Sequence, residues 1–128
     1  METVAEAAGR YRGDFVAWAG GCGFLGAGRG GPIAPHSHYA IQLVIGIPAG
    51  LRVQFGRQGQ WQSCAAALVP SRATHSIDVN DCDMSAVLFI EPETPEGRAL
   101  SDRMQGKLEL LRADQVAATS RRLDQAWR

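Results

Sequence analysis

Glycine clusters in the first half of the chain restrict what it can fold into. The chain contains 15 glycines, and they lie mainly in its first half as GG, GxG and GRGG groups. The segments between these groups are too short for helices of ordinary length. The sequence therefore predicts short strands joined by turns.

Runs of β-branched and aromatic residues place about eight strands along this part of the chain. The strongest run, 38–47, is followed by the turn Pro48-Ala49-Gly50. The spacing of the runs is typical of a closed or sandwiched antiparallel sheet. The predicted strands are 15–19, 24–27, 38–47, 51–55, 60–63, 66–69, 74–79 and 85–90.

Two helices are predicted after Pro92, where the composition changes. Residues 98–105 are good helix formers, and Thr94 is placed to cap the start of this helix. In 113–127 the apolar residues recur near three, four and seven positions, as on one face of a helix. This apolar stripe either packs on the protein's own barrel, forms a subunit interface or leads toward a further domain; its members are Val116, Leu123 and Trp127.

Length and composition indicate one domain. With 128 residues, of which 45% are hydrophobic, the chain can fill one small barrel. We expect a barrel over residues 1–92, with residues 1 to about 12 flexible, and a helical segment over 93–128 within the same domain. The 13 basic and 13 acidic side chains cancel, so direct nucleic-acid binding by this chain is not expected.

The cysteines and the N-terminus predict a cytoplasmic protein. Cys22, Cys64 and Cys82 are an odd number and form no CxxC pair, so neither a disulfide framework nor a thiolate zinc site is indicated. The N-terminus carries acidic residues without an apolar core, and no apolar run reaches membrane-spanning length. We therefore expect reduced thiols and no membrane contact.

Three histidines and one glutamine form the candidate site. His36, His38 and Gln42 have the same parity, so on one strand their side chains project from the same face. His75, the only other histidine, begins a separate predicted strand. Neutral imidazoles bind divalent transition metals such as Zn, Fe, Ni and Mn, so we predict a three-histidine metal site with Gln42 as a weak fourth ligand. The alternative is a metal-free pocket in which the histidines hydrogen-bond to each other or to a ligand.

The same residues resemble the two motifs of the cupin family. The histidines keep the spacing of both motifs, while several flanking positions differ. The resemblance implies a mainly β fold, the cupin double-stranded β-helix or jelly-roll barrel, here with two C-terminal α-helices. The first motif is matched by Gly30, His36, His38, Gln42 in place of its acid, and Gly50 one place beyond the ideal; the second is matched by Pro70 and His75, with Cys64, Arg72 and Val79 in place of its two glycines and its asparagine.

A longer resemblance extends from about His36 to Leu100. The runs HSHYAIQLVIG, ALVPSRATHSI and VLFIEPETPEGRAL are similar to the N-terminal effector-sensing cupin of AraC-type transcription regulators. The run LDQAW near the end is similar to the linker that precedes their helix-turn-helix domain. The resemblance implies a small-molecule effector, a homodimer formed through the C-terminal helix, and a readout through another chain or a further part of the protein.

We therefore predict a sensor of a small molecule or a metal ion, of AraC type but without the helix-turn-helix part. The alternative is a small metal-dependent enzyme, a three-histidine non-haem iron dioxygenase or an isomerase, because three histidine ligands leave open positions on a metal. Gln42 is neutral and cannot act as the general base that the usual acid provides, so no catalytic residue is predicted. Candidate contacts to the ligand are Arg52, Gln54, Gln62 and Arg72.

Overall fold

A computed structural model describes residues 11–28 and 34–127, which form nine strands and two helices. Most of the N-terminal segment expected to be flexible, and the motif residue Gly30, lie outside the described residues. The strands are β1 (Tyr11–Trp18), β2 (Gly21–Gly28), β3 (Ile41–Ile47), β4 (Leu51–Phe55), β5 (Trp61–Cys64), β6 (Ala66–Val69), β7 (His75–Asp78), β8 (Met84–Ile90) and β9 (Glu109–Leu111), and the helices are α1 (Pro95–Met104) and α2 (Ala113–Trp127).

The strands form two antiparallel sheets that pack face to face. The larger sheet has the order β1-β2-β8-β3-β6-β9, and the smaller sheet has the order β5-β4-β7. Every pair of neighbouring strands in these sheets is antiparallel. The predicted mainly β architecture, with two helices on the C-terminal side, is confirmed.

The core lies between the inward faces of the two sheets. Val44 of β3 and Ala67 of β6 pack there against Leu51 and Val53 of β4 and Ile77 of β7. Each of these side chains is at most 5% exposed. Burial of a Val, Leu or Ile side chain contributes about 1.5 to 3 kcal/mol, so this cluster supplies much of the stability of the fold.

Both helices cover the outward face of the larger sheet. Met104 of α1 packs there, and Val116 and Leu123 of α2 pack against Ile45 of β3. For these two residues, the structure shows the first of the alternatives, packing on the protein's own barrel. The side chain of Trp127 lies outside the described part, and an interface through the exposed face of α2 stays a prediction. No helix within residues 11–28 and 34–127 is long and apolar enough to cross a membrane.

The start of α1 shows how the barrel continues into the helices. Thr94 is the N-cap, as predicted, because its Oγ1 accepts a hydrogen bond of 3.0 Å from the N–H of Gly97. The helix begins at Pro95 rather than at residue 98. A Cβ atom at Gly97 would lie 2.1 Å from the oxygen of Glu91. The helix can therefore approach the end of β8 this closely only with glycine at this position.

β1 and β2 are longer than predicted, at Tyr11–Trp18 and Gly21–Gly28 instead of 15–19 and 24–27, and two further differences affect β3 and β9. β3 begins at Ile41 rather than at residue 38, because the chain bends at Tyr39 and Ala40 before it enters the sheet. β9 was not predicted, since three residues carry too little pattern to mark a strand. It forms because it pairs with β6, with Leu111 opposite Ala66.

None of the three cysteines, Cys22, Cys64 and Cys82, forms a disulfide in the structure. Burial, together with the nearby Cys82, raises the pKa of the Cys64 thiol to about 11. Burial also raises the pKa of Cys82, and three neighbouring aspartates act in the same direction. Both thiols are therefore protonated and weakly nucleophilic at neutral pH.

Candidate metal centre

His36 and His75 meet across an antiparallel pairing. His75 is the first residue of β7, and His36 forms an isolated bridge with it. The N–H of His36 donates to the oxygen of His75 (3.0 Å), and the N–H of His75 donates to the oxygen of His36 (2.9 Å). Directly opposed residues share a face, and the centroids of the two rings are 4.5 Å apart. His75 is fully buried, whereas His36 is partly exposed.

His38 lies on a loop and Gln42 lies on β3, and both side chains approach His75. The premise that both lie on one strand is wrong, because residues 37–40 are outside β3 and Gln42 is inside it. The loop is held by the N–H of Arg72, which donates to the oxygen of His38 at 2.7 Å. The histidines converge even so, since their candidate ligand atoms all lie within 4.8 Å of one another.

Each histidine ring is oriented by a backbone carbonyl group. A carbonyl oxygen only accepts hydrogen bonds, so in a neutral imidazole the Nδ1 atom next to it carries the proton. The Nε2 atom of each ring then presents a lone pair, and metal-binding histidines are commonly oriented in this way. The Nδ1 atoms donate to the oxygens of Ala34 (3.0 Å, from His36), Ala40 (2.8 Å, from His38) and Ala73 (2.8 Å, from His75).

The side-chain oxygen of Gln42 lies close to the Nε2 atoms of His38 and His75. This Oε1 atom lies 2.8 Å from Nε2 of His38 and 2.9 Å from Nε2 of His75. Three acceptor atoms at these distances repel one another unless a cation lies among them or the amide turns over so that its NH₂ donates to both rings. The distances are therefore compatible with a cation among these atoms, or with an amide whose NH₂ group faces the two rings.

The distances suit a transition-metal ion. Two ligands about 2.1 Å from one ion and at right angles are about 3.0 Å apart, and two opposite ligands are about 4.2 Å apart. The separations of 2.8 and 2.9 Å from Gln42 are close to the first value. The candidate ligand atoms of the histidines lie within 4.8 Å of one another, close to the second value. Three imidazoles and one amide oxygen therefore form a suitable ligand set for a divalent ion.

Burial disfavours the charged form of His75. It lowers the pKa of His75 more than a hydrogen bond to a backbone carbonyl raises it, and the nearby His36 and His38 lower it further. Within the described residues no carboxylate joins the histidine cluster. Asp78 lies on the other face of β7 from His75 and pairs with Arg52. The candidate ligands that the described residues bring together are therefore three imidazoles and one amide.

Phe89 lies beside the histidines, and it was not predicted from the sequence as a residue of the site. Phe89 lies opposite Gln42 in the register of β8 and β3. Its ring meets that of His38 nearly at right angles, with 5.3 Å between the centroids. The position of Phe89 depends on the pairing of two strands far apart in the sequence, and strand patterns do not specify that pairing.

Three of the four predicted ligand contacts do not lie with the histidines. Phe55 pairs with His75 and shares its face of the smaller sheet. Arg52 and Gln54 alternate with Phe55 along β4, so they project from the opposite face. The Nε2–H of Gln54 donates to the oxygen of Gly59 (2.9 Å). Gln62 is an exposed residue of β5.

Arg72 is the one predicted ligand contact whose backbone is bonded to the histidine loop, through its N–H and the oxygen of His38. Besides its backbone bond to His38, its guanidinium lies 4.9 Å from the centroid of the Tyr39 ring. Arg72 has a φ of 65°, a left-handed conformation that favours glycine. An arginine thus occupies a left-handed position next to the loop that carries His38.

The fold is that of cupins of known structure. No protein-family model and no curated protein sequence matches the chain. An RmlC-like cupin from Shewanella frigidimarina matches with a TM-score of 0.52 and 11% identity, covering 66% of this chain and 79% of that chain. A cupin superfamily protein from Desulfitobacterium hafniense matches with a TM-score of 0.52 and 12% identity, covering 64% and 78% of the two chains.

A third match has a named activity. The DMSP lyase DddQ from Ruegeria pomeroyi matches with a TM-score of 0.50 and 16% identity, covering 72% of this chain and 53% of that chain. Identities this low establish a shared fold and no closer relationship. Together with the two facing antiparallel sheets, these matches show that the chain folds as a cupin barrel.

Proposed function

We propose that the protein binds a divalent transition metal and works as a sensor of a metal ion or a small molecule. The ligands are Nε2 of His36, His38 and His75 and Oε1 of Gln42. The observation that carries the proposal is the convergence of the amide oxygen with two imidazole nitrogens at 2.8 and 2.9 Å. Zn, Fe, Ni and Mn all accept imidazole and amide ligands, so the ligand set admits each of them.

Binding fits the side chains of the site better than catalysis does. General acid–base catalysis needs a group that takes up and returns a proton beside the reacting atom, and the neutral amide of Gln42 does neither. The Nδ1 protons are held by carbonyl groups, and the Nε2 atoms are the metal ligands. A bound ion would supply Lewis acidity and open coordination positions. Phe89 would contact a small molecule held there.

β3 offers a route from the site to the C-terminal helix. Gln42 points into the barrel from this strand, and Ile45 of the same strand points outward against Val116 and Leu123 of α2. The resemblance to AraC-type sensors implies that this helical region responds to the effector. Binding at Gln42 would act on α2 through one strand, by an amount limited by the difference in ligand affinity between the two arrangements.

Metal analysis of protein purified without an affinity tag tests the site. We expect His38→Ala to lower zinc affinity by about 100-fold or more, since one ligand is lost. Ser37→Ala is the matched control, because Ser37 is exposed and adjacent to the site but is not a member of the cluster. Equal metal content in His38→Ala and the parent protein contradicts the proposal.

A small metal-dependent enzyme is the second candidate function. The ligand set favours it, since three imidazoles leave positions open for a substrate, and the fold is shared with a DMSP lyase. Oxygen uptake by iron-loaded protein, with a panel of small thiols, diols and diketones, separates the two candidates. Turnover that is lost in His38→Ala supports the enzyme, and absence of turnover with every compound favours the sensor.

A further inference from the structure

β1 is an edge strand of the larger sheet, and it is exposed on both faces. Among the described residues it pairs with β2 alone, so one row of its backbone N–H and C=O groups points away from the sheet. Every residue from Asp14 to Ala19 is exposed. Because side chains alternate between the two faces of a strand, this unbroken exposure leaves both faces open.

The exposed side chains of β1 are largely apolar. Phe15 is 40% exposed, Val16 is 57% exposed and Trp18 is 43% exposed. The other edge of the sheet differs, because β9 has only three residues and its Glu109 forms an ion pair with Arg103. Short and charged edge strands resist pairing with another chain, whereas long apolar ones favour it. Of the two edges of the larger sheet, the β1 edge is therefore the one suited to receive a partner strand.

We propose that β1 pairs antiparallel with β1 of a second copy of this chain, so that the two larger sheets join across a two-fold axis. This contact is separate from the metal site. It is also separate from the apolar stripe of α2, where Val116 and Leu123 are already packed on the protein's own sheet. The dimer contact is thus placed on the N-terminal hairpin.

The hairpin holds β1 in the extended form that such pairing needs. The ring of Trp18 lies on the backbone of β2, since a Cβ atom at Gly21 would be 2.7 Å from its Cζ2. On the other face, the centroids of the Phe15 and Phe24 rings are 5.0 Å apart. A strand ordered before it binds loses less conformational entropy on association.

The charges of β1 select the register. A two-fold axis at Asp14 would place that carboxylate opposite Asp14 of the partner subunit, and like charges directly opposite each other are destabilising. An axis at Phe15 uses the whole strand and sets Phe15 opposite Phe15 of the partner subunit. Asp14 then faces Val16 of the partner subunit. We therefore place the axis at Phe15.

A second copy is the partner that suits this strand. Two identical strands paired antiparallel form a closed dimer in which the β1 edge of each copy is covered. The 13 basic and 13 acidic side chains balance, so two copies do not repel through net charge. The three apolar side chains offer on the order of 200 Å² per copy. A standard interface buries about 800 Å² per partner, so we expect the dimer to dissociate in the micromolar range.

Sedimentation velocity of the full chain from about 1 to 500 μM, a range that spans micromolar affinities, tests the proposal. The parent protein is expected to pass from monomer to dimer, and Val16→Lys is expected to raise the dissociation constant at least tenfold. Ala118→Lys, which adds the same charge to an exposed position of α2, is expected to leave it unchanged. A parent that stays monomeric overturns the proposal, and so does dissociation by Ala118→Lys without an effect of Val16→Lys.

Amide hydrogen exchange of the parent protein tests the same contact without any substitution, so the result does not depend on how well a variant folds. In the parent protein, the amides of β1 are expected to exchange more slowly at the dimeric end of the concentration range than at the monomeric end. Slow exchange of these amides at all concentrations would show that the chain's own residues cover the edge, and this would overturn the proposal. Both experiments are run with chelator present, so their outcome does not depend on the metal site.

Discussion

The interior of the barrel has an apolar end and a polar end, and the same strands contribute side chains to both. At one end the inward positions of β3 and β7 carry Val44 and Ile77, which pack in an apolar core. Two residues earlier on each strand, the inward positions carry Gln42 and His75, whose Oε1 and Nε2 atoms lie 2.9 Å apart. Strand alternation aims all four side chains inward, so the difference in chemistry comes from one polar position on each strand.

The comparison shows how the fold and the site depend on each other. The apolar end stabilises the fold without any partner molecule, by about 1.5 to 3 kcal/mol for each buried aliphatic side chain. The polar end contributes only while each buried donor and acceptor is paired, because an unpaired one costs about 1 to 3 kcal/mol. We therefore expect changes at the apolar end to act on stability and changes at the polar end to act on binding.

The largest effect is expected from Leu51→Ala, at the apolar end. Leu51 is fully buried, so its truncation leaves a cavity and lowers the free energy of unfolding by about 2 to 5 kcal/mol. Urea denaturation measures this loss, with Ser37→Ala, at an exposed position outside the core, as the control. If the separation of the two ends is correct, zinc affinity of the folded Leu51→Ala protein stays at the parent value. A tenfold loss of that affinity would show that the apolar end also determines metal binding.

The next effect is expected from Gln42→Glu, at the polar end. A carboxylate in place of the amide adds a negative charge to the ligand set, and we expect zinc affinity to rise about tenfold. Without metal the buried carboxylate lacks a cation, so the free energy of unfolding falls by about 1 to 3 kcal/mol. Competition with a chromophoric chelator and urea denaturation measure the two changes.

Gln54→Glu is the matched control for this substitution, because Gln54 lies on the other face of the smaller sheet. It introduces the same charge and should leave zinc affinity at the parent value. A rise of affinity in Gln54→Glu equal to that in Gln42→Glu would show a general effect of charge and would remove Gln42 from the ligand set.

The smallest effect is expected from pH on the metal-free protein. Burial lowers the pKa of His75, so between this lowered value and the ordinary histidine value near 6.5 the unfolded chain binds more protons than the folded one. Stability is therefore greatest above the ordinary value and falls as the pH decreases, by at most about 1.4 kcal/mol per pH unit for this one group.

Urea denaturation in chelator at pH 7, 6 and 5 measures this slope. His75→Gln is the control, since the amide does not titrate and should make the dependence on pH shallower. An equal slope in His75→Gln and the parent protein would assign the effect to other groups.

The sequence predicted those features of the fold and the site that depend on residue type and on spacing along the chain. The bounds predicted for the helix Ala113–Trp127 match those of α2, because its apolar repeat is local. The spacing of the three histidines also predicted their convergence, although the shared strand assumed for His38 is absent. The bend at Tyr39 and Ala40 changes the route of the chain and still brings His38 to the same point.

What sequence could not supply depends on contacts between distant segments. Phe89 enters the site only because β8 pairs with β3, and β9 exists only because it pairs with β6. The orientation of the imidazoles depends on carbonyl groups such as those of Ala34 and Ala73, which any residue would provide. Backbone groups leave no mark in a sequence, so this part of the site is visible only in the structure.

The packing of the Trp18 ring on the backbone of β2 restricts which residues can occupy position 21. Any side chain at position 21 would meet the ring of Trp18 at 2.7 Å and the oxygen of Phe89 at 2.6 Å. The second obstacle is backbone and would persist if the tryptophan were replaced. Glycine at position 21 should thus be retained among orthologues even where the aromatic residue at position 18 has drifted, which makes it a better marker of descent than the more visible tryptophan.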